Sequence, residues 1–419
     1  REDELEDFLI AFARALDPHS SYLSSDTLED FQISMELSLE GIGASLSSQD
    51  GFTVIESLIK GGAAEGTKTE DGKKLKPKDK IVAVGQGTKG KMKSVIDMEL
   101  RDVVKLIRGK KGTKVRLQIL RQSDETKNFQ IVIVRDKIDI KEQAAKLTYE
   151  DRTVKGRKLK IGIVSLPSFY GGGSKKGSVS SSEDVRKLLK KAKKNKVDGI
   201  VLDLSGNGGG LLSEAVKISG LFIKKGAVVA TKSTSSATEV LKDRKSETTY
   251  SGPLGVLVSR FSASASEILA GALKDYRRAV IIGDKHTFGK GSVQAVVPLP
   301  LGIGAMKVTQ GLFFLPGGHS TQLEGVPTDV NIPPIYYTKD VGEKYLDYAL
   351  KNQQVKPFLS KTANGDGPDE KWKAINGSTV KKLAKASKSR VAKSERYKEI
   401  AKKISEAKKT DGVVRLADT

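Results

Sequence analysis

Apolar residues along this chain keep three rhythms, and each change of rhythm marks a change of architecture. At the start, Leu5, Phe8, Leu9, Phe12 and Leu16 recur at helical spacing, Asp17-Pro18 stops that run, and Ser25-Asp26 restarts a second helix toward Met35. From Glu40 the pattern shortens to GIGASL, FTVIESL, KIVAVGQ, KVRLQIL and FQIVIVR, strands that alternate or run apolar between Gly-rich turns. A helix is predicted from about Asp97 to Ile107, and the charged stretch TEDGKKLKP at 69–77 predicts a mobile surface loop. Beyond residue 138, KIGIVSLPSF, DGIVLDLSG, AVVATKS, LGVLVSR, AVIIGD and AMKVTQGLFF read as buried strands, with helices near 183–194, 212–223 and 265–276. That alternation argues for an α/β layer with parallel strands. After Pro333-Pro334 the chain turns to helical segments in which Lys and Arg outnumber Asp and Glu. The division that results is an N-terminal helical segment over 1–38, a β domain over 39–137, an α/β core over 138–335 and a basic helical extension over 336–419.

Composition narrows the function classes. With 419 residues the chain is too long for one ordinary core, and 37% hydrophobic content suffices for several. No window approaches the roughly 20 consecutive apolar residues of a membrane span. The chain begins Arg-Glu-Asp without an initiator Met or a signal peptide, which reads as an excised or mature piece. The absence of cysteine removes disulfides and thiol catalysis. Three histidines, His19, His286 and His319, are scattered with no metal-ligand spacing, so no metal is expected. A net charge of +22 permits acidic partners, but the excess is lysine spread over helix faces such as Lys187, Lys190 and Lys194. With aromatics at 5% and none interleaved with arginine, the charge reads as a solubilising surface, and nucleic acid is not expected as a partner.

Chemistry concentrates between Phe261 and Gln294, in FSASASEILAGALKDYRRAVIIGDKHTFGKGSVQ. Ser264, Ala265 and Ser266 precede the apolar-periodic Ile268, Leu269 and Leu273, so a serine sits at a helix N-terminus whose free N–H groups favour developing negative charge. Lys290 sits in a turn framed by Gly289 and Gly291, with no carboxylate beside it in sequence to hold its proton on. A serine nucleophile needs a base, and a lysine serves as one only when its ammonium form is destabilised. Gln294 is placed to orient that amine without charging it. His286 offers a weaker alternative base, outside the glycine turn. Glu267, Asp275 and Asp203 read as solvated or capping carboxylates. The glycine segments GNGGGL at 206–211 and the turn around Lys290 fail the dinucleotide and P-loop spacings, so no nucleotide cofactor is implied.

FSASASE followed by DYRRAVIIGDKHTFGKGSVQ resembles the carboxy-terminal processing proteases, most closely their tail-specific branch of the bacterial envelope. The resemblance runs from DPHSSYL at 17–23 to GVPTDV at 325–330. It implies Ser264 as nucleophile, Lys290 as base and Gln294 as its support, with Ser262 and Ser266 as neighbours. It also implies a spiral α/β core of the crotonase and ClpP type, preceded by an inserted PDZ-like domain and flanked by helical segments. In that family the glycines after the DL strand approach the scissile carbonyl, so Gly208 or Gly209 with Ala265 would form an oxyanion hole. The arginine usual at that strand end is Ser205 here. The five strands and one helix after Glu40 resemble a PDZ domain, in which Gly41, Ile42, Gly43 and Ala44 would receive a terminal carboxylate. Ile42, Leu46 and Val103 or Leu106 would form the pocket for the last side chain. The linker-like insert GGGSKKGSVSSS at 171–182 would be a loop on the active-site side. The expected partners are protein substrates with nonpolar C-termini, with an adaptor and peripheral envelope association compatible with the basic extension, and the implied location is periplasmic. No cofactor is implied. The rival reading is a PDZ scaffold that captures C-termini without cutting; a third is a basic envelope or nucleic-acid binder.

Overall fold

A computed structural model describes residues 2–121, 127–172, 179–233, 236–243, 248–335, 340–364 and 371–409. Half of the insert at 171–182 and parts of the extension after residue 336 lie outside them. The chain opens with helix α1 (Glu2–Arg14), strand β1 (Ser21–Leu23) and helix α2 (Ser25–Glu36). The expected helical spacing is realised in α1, but Leu5, Phe8 and Phe12 are exposed and Ala13 is the residue that turns inward.

Residues 37–142 form one compact unit. Its elements are β2 (Ser38–Gly41), β3 (Ala44–Gln49), β4 (Phe52–Leu58), α3 (Ala63–Gly66), β5 (Lys80–Gln86), β6 (Lys93–Ser94), α4 (Leu100–Ile107), β7 (Lys114–Arg121), β8 (Lys127–Val134) and β9 (Asp136–Asp139). The main sheet runs β3-β4-β5-β7-β8, antiparallel throughout, with β6 beside β5 and β2 pairing with β9. Alternation in β7 puts Val115, Leu117 and Ile119 into the core with Ile131 and Ile133 of β8, while Val132 and Val134 face out. The segment 69–77 is tied down instead of loose. Leu75 is buried in the core, the Lys73 N–H donates to the Thr69 hydroxyl at 2.8 Å, and the Lys76 N–H donates to Asp79 at 2.8 Å. A buried leucine anchors a loop whose charge alone suggests freedom.

The rest of the chain forms the other unit. Its strands are β10 (Lys146–Val154), β11 (Arg157–Ser165), β12 (Gly199–Asp203), β13 (Ala227–Lys232), β14 (Glu239–Lys242), β15 (Leu254–Val258), β16 (Val280–Gly283), β17 (Ser292–Pro298), β18 (Ala305–Phe314) and β19 (Val330–Asn331). Helices α5 (Ser181–Lys194), α6 (Leu212–Ser219) and α7 (Ala265–Asp275) lie between strands, and α8 (Gly377–Lys393) and α9 (Glu395–Lys409) follow. One sheet runs β10-β11-β12-β15-β16-β19 and is parallel from β11 onward. The other joins β1, β18, β13 and β14, with β17 also on β18, and is antiparallel. So AVVATKS and AMKVTQGLFF leave the expected parallel layer for a second sheet, because a buried apolar run carries no information about which neighbour it pairs with. Helix α7 touches β13 of one sheet and β16 of the other, and every residue from Ala265 to Leu273 is buried. A helix apolar and small all round can lie between two sheets. Its N-terminus is therefore fixed from both sides.

Candidate active site

The SASAS run that leads from the turn after β15 into α7 carries three serines with different fates. The Ser262 hydroxyl donates to the Leu204 carbonyl at 2.7 Å and the Ser266 hydroxyl to the Asn207 carbonyl at 2.8 Å, and both residues are fully buried. Ser264, between them, lines a cleft of about 420 Å³. Its backbone is held at φ 58 and ψ −114, a region that costs a non-glycine residue about 1–3 kcal/mol and persists only where the surroundings impose it. Here the Ser264 N–H donates to Glu267 Oε2 at 2.8 Å and the Ala263 N–H donates to the Asn207 carbonyl at 3.2 Å.

The same Glu267 carboxylate reaches the lysine turn. Its Oε2 also accepts the Lys290 N–H at 2.9 Å, and its Oε1 accepts the Gly289 N–H at 2.8 Å and the Thr287 hydroxyl at 2.6 Å. One fully buried side chain thus fixes the main chain at both Ser264 and Lys290. Burial pushes its carboxyl up to about 8, opposed by the four donors that favour the charged form. The solvated reading of Glu267 is corrected: it caps α7, but from the interior. The Ser-x-x-Glu spacing of a capping box was the available signal.

Lys290, in the turn between β16 and β17, lines the cleft with Ser264, Gln294, Phe31, Ile268 and Phe313. Its ammonium has no ion pair among the described residues. Burial pushes it down to about 8, and the charge of Lys307 adds to that, while Glu343, Glu267 and Asp17 act in the opposite direction. Gln294 does not bond the amine. Its amide donates to the Ser292 hydroxyl at 2.9 Å and the Thr309 hydroxyl at 3.1 Å, bracing β17 against β18 where the ladder shifts register at Val293/Gln294. Thr309 passes the contact on to Asp17 Oδ1 at 2.7 Å, so the DPHSSYL segment is built into this wall.

After β12 the chain loops past the serine. Ser205 turns back on its own strand end, its N–H and hydroxyl both donating to Asp203 Oδ1 at 2.9 and 2.7 Å, and its carbonyl accepts the Ser259 hydroxyl. Asp203 is a capping carboxylate, as expected. Asn207, fully buried, donates to the Leu166 carbonyl at 2.8 Å and accepts the Gly209 N–H at 2.9 Å. That bond removes Gly209 as an oxyanion donor, a correction to the sequence expectation. Glycine is still required there: φ is +115, and a Cβ would lie 2.9 Å from the Ser264 Cβ. Gly208 and Ala265 line the cleft, and neither N–H has an acceptor among the described residues.

The histidines stand apart from one another, and no cluster among the described residues could hold a metal. His286 Nδ1 lies 2.7 Å from the Thr287 carbonyl, and its ring does not line the cleft. His19 Nε2 meets Glu343 Oε2 at 2.8 Å; Gln322 donates to Glu343 Oε1 at 3.0 Å and accepts the Gly291 N–H at 2.8 Å. Asp275 is half-buried and accepts the Gly317 N–H at 2.7 Å; its partial burial raises its pKa. Nothing local in the sequence distinguishes Thr287, Gln322, Glu343 and Lys307, and Glu343 falls in the stretch that reads as an appended extension.

In the 37–142 unit a groove of about 210 Å³ is lined by Gly41, Ile42, Gly43, Ala44, Leu46 and, from α4, Val104 and Ile107. Strand β3 is the edge of its sheet, so one side of its backbone is open for pairing. The N–H groups of Ile42 and Gly43 have no acceptor among the described residues. Gly43 has φ +77, and a Cβ there would press to 3.2 Å from the Gly62 Cα. Val103 and Leu106 do not line the groove: Val103 is fully buried in the core and Leu106 packs against it. The helix starts at Leu100, later than expected, and a one-residue rotation of 100° exchanges the inward face for the groove face.

Residues 160–332 match the model of peptidase family S41, and residues 30–120 match that of the PDZ domain. The chain is 44% identical over 358 residues to the tail-specific protease of Haemophilus influenzae, covering 83% of this chain and 48% of that one. It is 33% identical over 334 residues to a probable CtpA-like serine protease of Staphylococcus aureus, covering 78% and 59%. The chain therefore spans roughly half the length of these curated relatives, 48% and 59%. Among solved structures it is similar to a photosystem II D1 C-terminal processing protease, at 26% identity and a TM-score of 0.45, over 84% of this chain and 89% of that one. The chain carries a peptidase family S41 domain over residues 160–332 and, ahead of it, a PDZ domain over residues 30–120.

Proposed function

We propose that the chain is a serine endopeptidase that binds nonpolar protein C-termini through its PDZ domain and cuts the polypeptide with Ser264 and Lys290. One observation carries the reading: Ser264 and Lys290 line one cleft, and their backbones are held by the same buried carboxylate, Glu267. Neutral Lys290 takes the Ser264 hydroxyl proton as the oxygen attacks the peptide carbonyl. The developing oxyanion accepts from the N–H groups of Gly208 and Ala265, the second at the positive end of α7. The Lys290 ammonium then gives its proton to the leaving amine. Water hydrolyses the resulting ester, releasing the carboxylate and returning the proton to Ser264. Gln294 acts through the β17–β18 wall, positioning the lysine turn.

The PDZ groove receives the tail. Ile42 and Gly43 offer their free N–H groups to its carboxylate, β3 pairs with its backbone, and Ile42, Leu46, Val104 and Ile107 take its last side chain. The location in this reading is the bacterial envelope, with processing or degradation of envelope proteins in the periplasm, and the likeness to the tail-specific relative supports it. No helix among the described residues is long and apolar enough to cross a membrane. The test is cleavage of an unfolded reporter with a nonpolar tail by the native chain, Ser264→Ala and Lys290→Ala, each checked for folding. Cleavage lost in both variants, and lost when the tail is charged, supports the reading; a native chain that binds the tail and leaves it uncut from neutral to alkaline pH makes it a scaffold.

A further inference from the structure

Lys307 shares the cleft with Lys290 and Ser264. It stands on β18, opposite Val296 of β17 and Ser21 of β1, two residues from Thr309 and on the same strand face. Among the described residues its ammonium has no ion pair, and neither has that of Lys290. The carboxylates facing the two lysines are committed elsewhere. Asp17 accepts the hydroxyls of Ser20 and Thr309 and the N–H groups of His19 and Ser20; Glu343 is held by His19 and Gln322; Glu267 is held by four donors of its own. Arg14, at the end of α1, adds a further positive charge beside Lys307. Two partly desolvated ammoniums in one cleft, neither in an ion pair, repel each other's protons, while the carboxylates nearby are held by donors of their own and oppose that repulsion only through their charge.

Resting on the Ser264–Lys290 reading, we propose that Lys307 is a positioning residue for the reaction: its charge in the cleft keeps the proton off Lys290 and so holds the base in its reactive form. Of the charges acting on Lys290, that of Lys307 has the largest effect, and Lys307 itself is shifted down by burial and by Arg14. Glu343, Glu267 and Asp17 oppose that repulsion at Lys290, each with a smaller effect than Lys307.

A charge series at residue 307 in the whole chain tests this. The low-pH limb of kcat on the tailed reporter is expected to stay in place for Lys307→Arg, to move alkaline by roughly half a unit or more for Lys307→Met, and to move further for Lys307→Glu. A loss of packing would lower rates without ordering the limbs by charge. In parallel, the Ser264→Ala chain is labelled with an amine reagent across pH, and the midpoint for the Lys290 peptide is read by mass spectrometry. A midpoint raised by Lys307→Met in step with the kinetic limb supports the inference. An unmoved midpoint overturns it, whether or not the protease reading stands. If Lys290→Ala cleaves as well as the native chain, that reading fails, and the labelling midpoint still decides whether Lys307 sets the Lys290 proton.

Discussion

The cleft of the peptidase domain and the groove of the PDZ domain are both small concave sites bordered by a glycine turn, yet they are built on opposite principles. Around Ser264 the structure collects titratable groups, the half-buried Lys290 and the buried Glu267, Glu343 and Asp17, and a serine in a strained backbone conformation. Around Ile42 and Gly43 it offers open N–H groups, an unpaired strand edge and aliphatic side chains. Bond breaking needs proton acceptors with displaced pKa values and a nucleophile that cannot relax. Binding a tail needs only unmet backbone bonds and an apolar pocket, so its parts tolerate a looser frame.

The comparison breaks first at the proposed nucleophile and base. Ser264→Ala and Lys290→Ala are each expected to cut kcat by about a thousandfold or more while tail affinity of the PDZ groove stays as in the native chain, measured by reporter cleavage beside peptide titration. If tail binding falls with them, the two sites are not separable. Glu267→Gln comes next. A neutral amide cannot serve four donors at once, and leaving a buried donor unmet costs about 1–3 kcal/mol, so kcat should drop on the order of a hundredfold with a lower urea midpoint. An unchanged rate would mean that Ser264 and Lys290 are held by something other than this carboxylate.

Two smaller effects sharpen the contrast. With Lys290 shifted down to about 8, cleavage should rise about tenfold per pH unit below that value and level off above it, while tail binding stays flat over the same range. The same shift has a stability counterpart. Between about 8 and the ordinary lysine value of 10.5, the unfolded chain holds the proton that the folded chain has lost, so stability rises with pH there. Lys290→Met removes that slope, and the difference in urea midpoint between native and variant should narrow from pH 8 to pH 10. The smallest effect belongs to the groove: Val104→Ala removes two methyl groups from the pocket wall and should weaken tail binding severalfold, seen as KM with kcat unchanged. Val103→Ala, by contrast, should lower stability and leave the groove's preference alone, since that side chain lies in the core.

Much of the chain could be read before it was folded. The turn chemistry around Ser264 and Lys290, the change from helical to strand rhythm near Glu40, and the helix starting at Ala265 depend on local preferences that a linear string carries. The pairing of a serine with a lysine base is legible in the same stretch, and family likeness in FSASASE and FGKG singled out Ser264 among its serines. Tertiary structure decided the rest, because it concerns partners far apart in the chain. Only the fold puts Glu267 inside a dry space where it meets the N–H groups of Ser264 and Lys290, and commits the Gly209 N–H to Asn207, leaving Gly208 free. It also turns Gln294 to Thr309 rather than to the amine, and rotates Val104 instead of Val103 into the groove. Glu343, beyond the peptidase match, is brought to His19 near the other end of the chain. A sequence records which groups a segment prefers to place in water or out of it; the shape of the dielectric around a charge, and the direction in which a buried donor points, exist only when the sheets close around them.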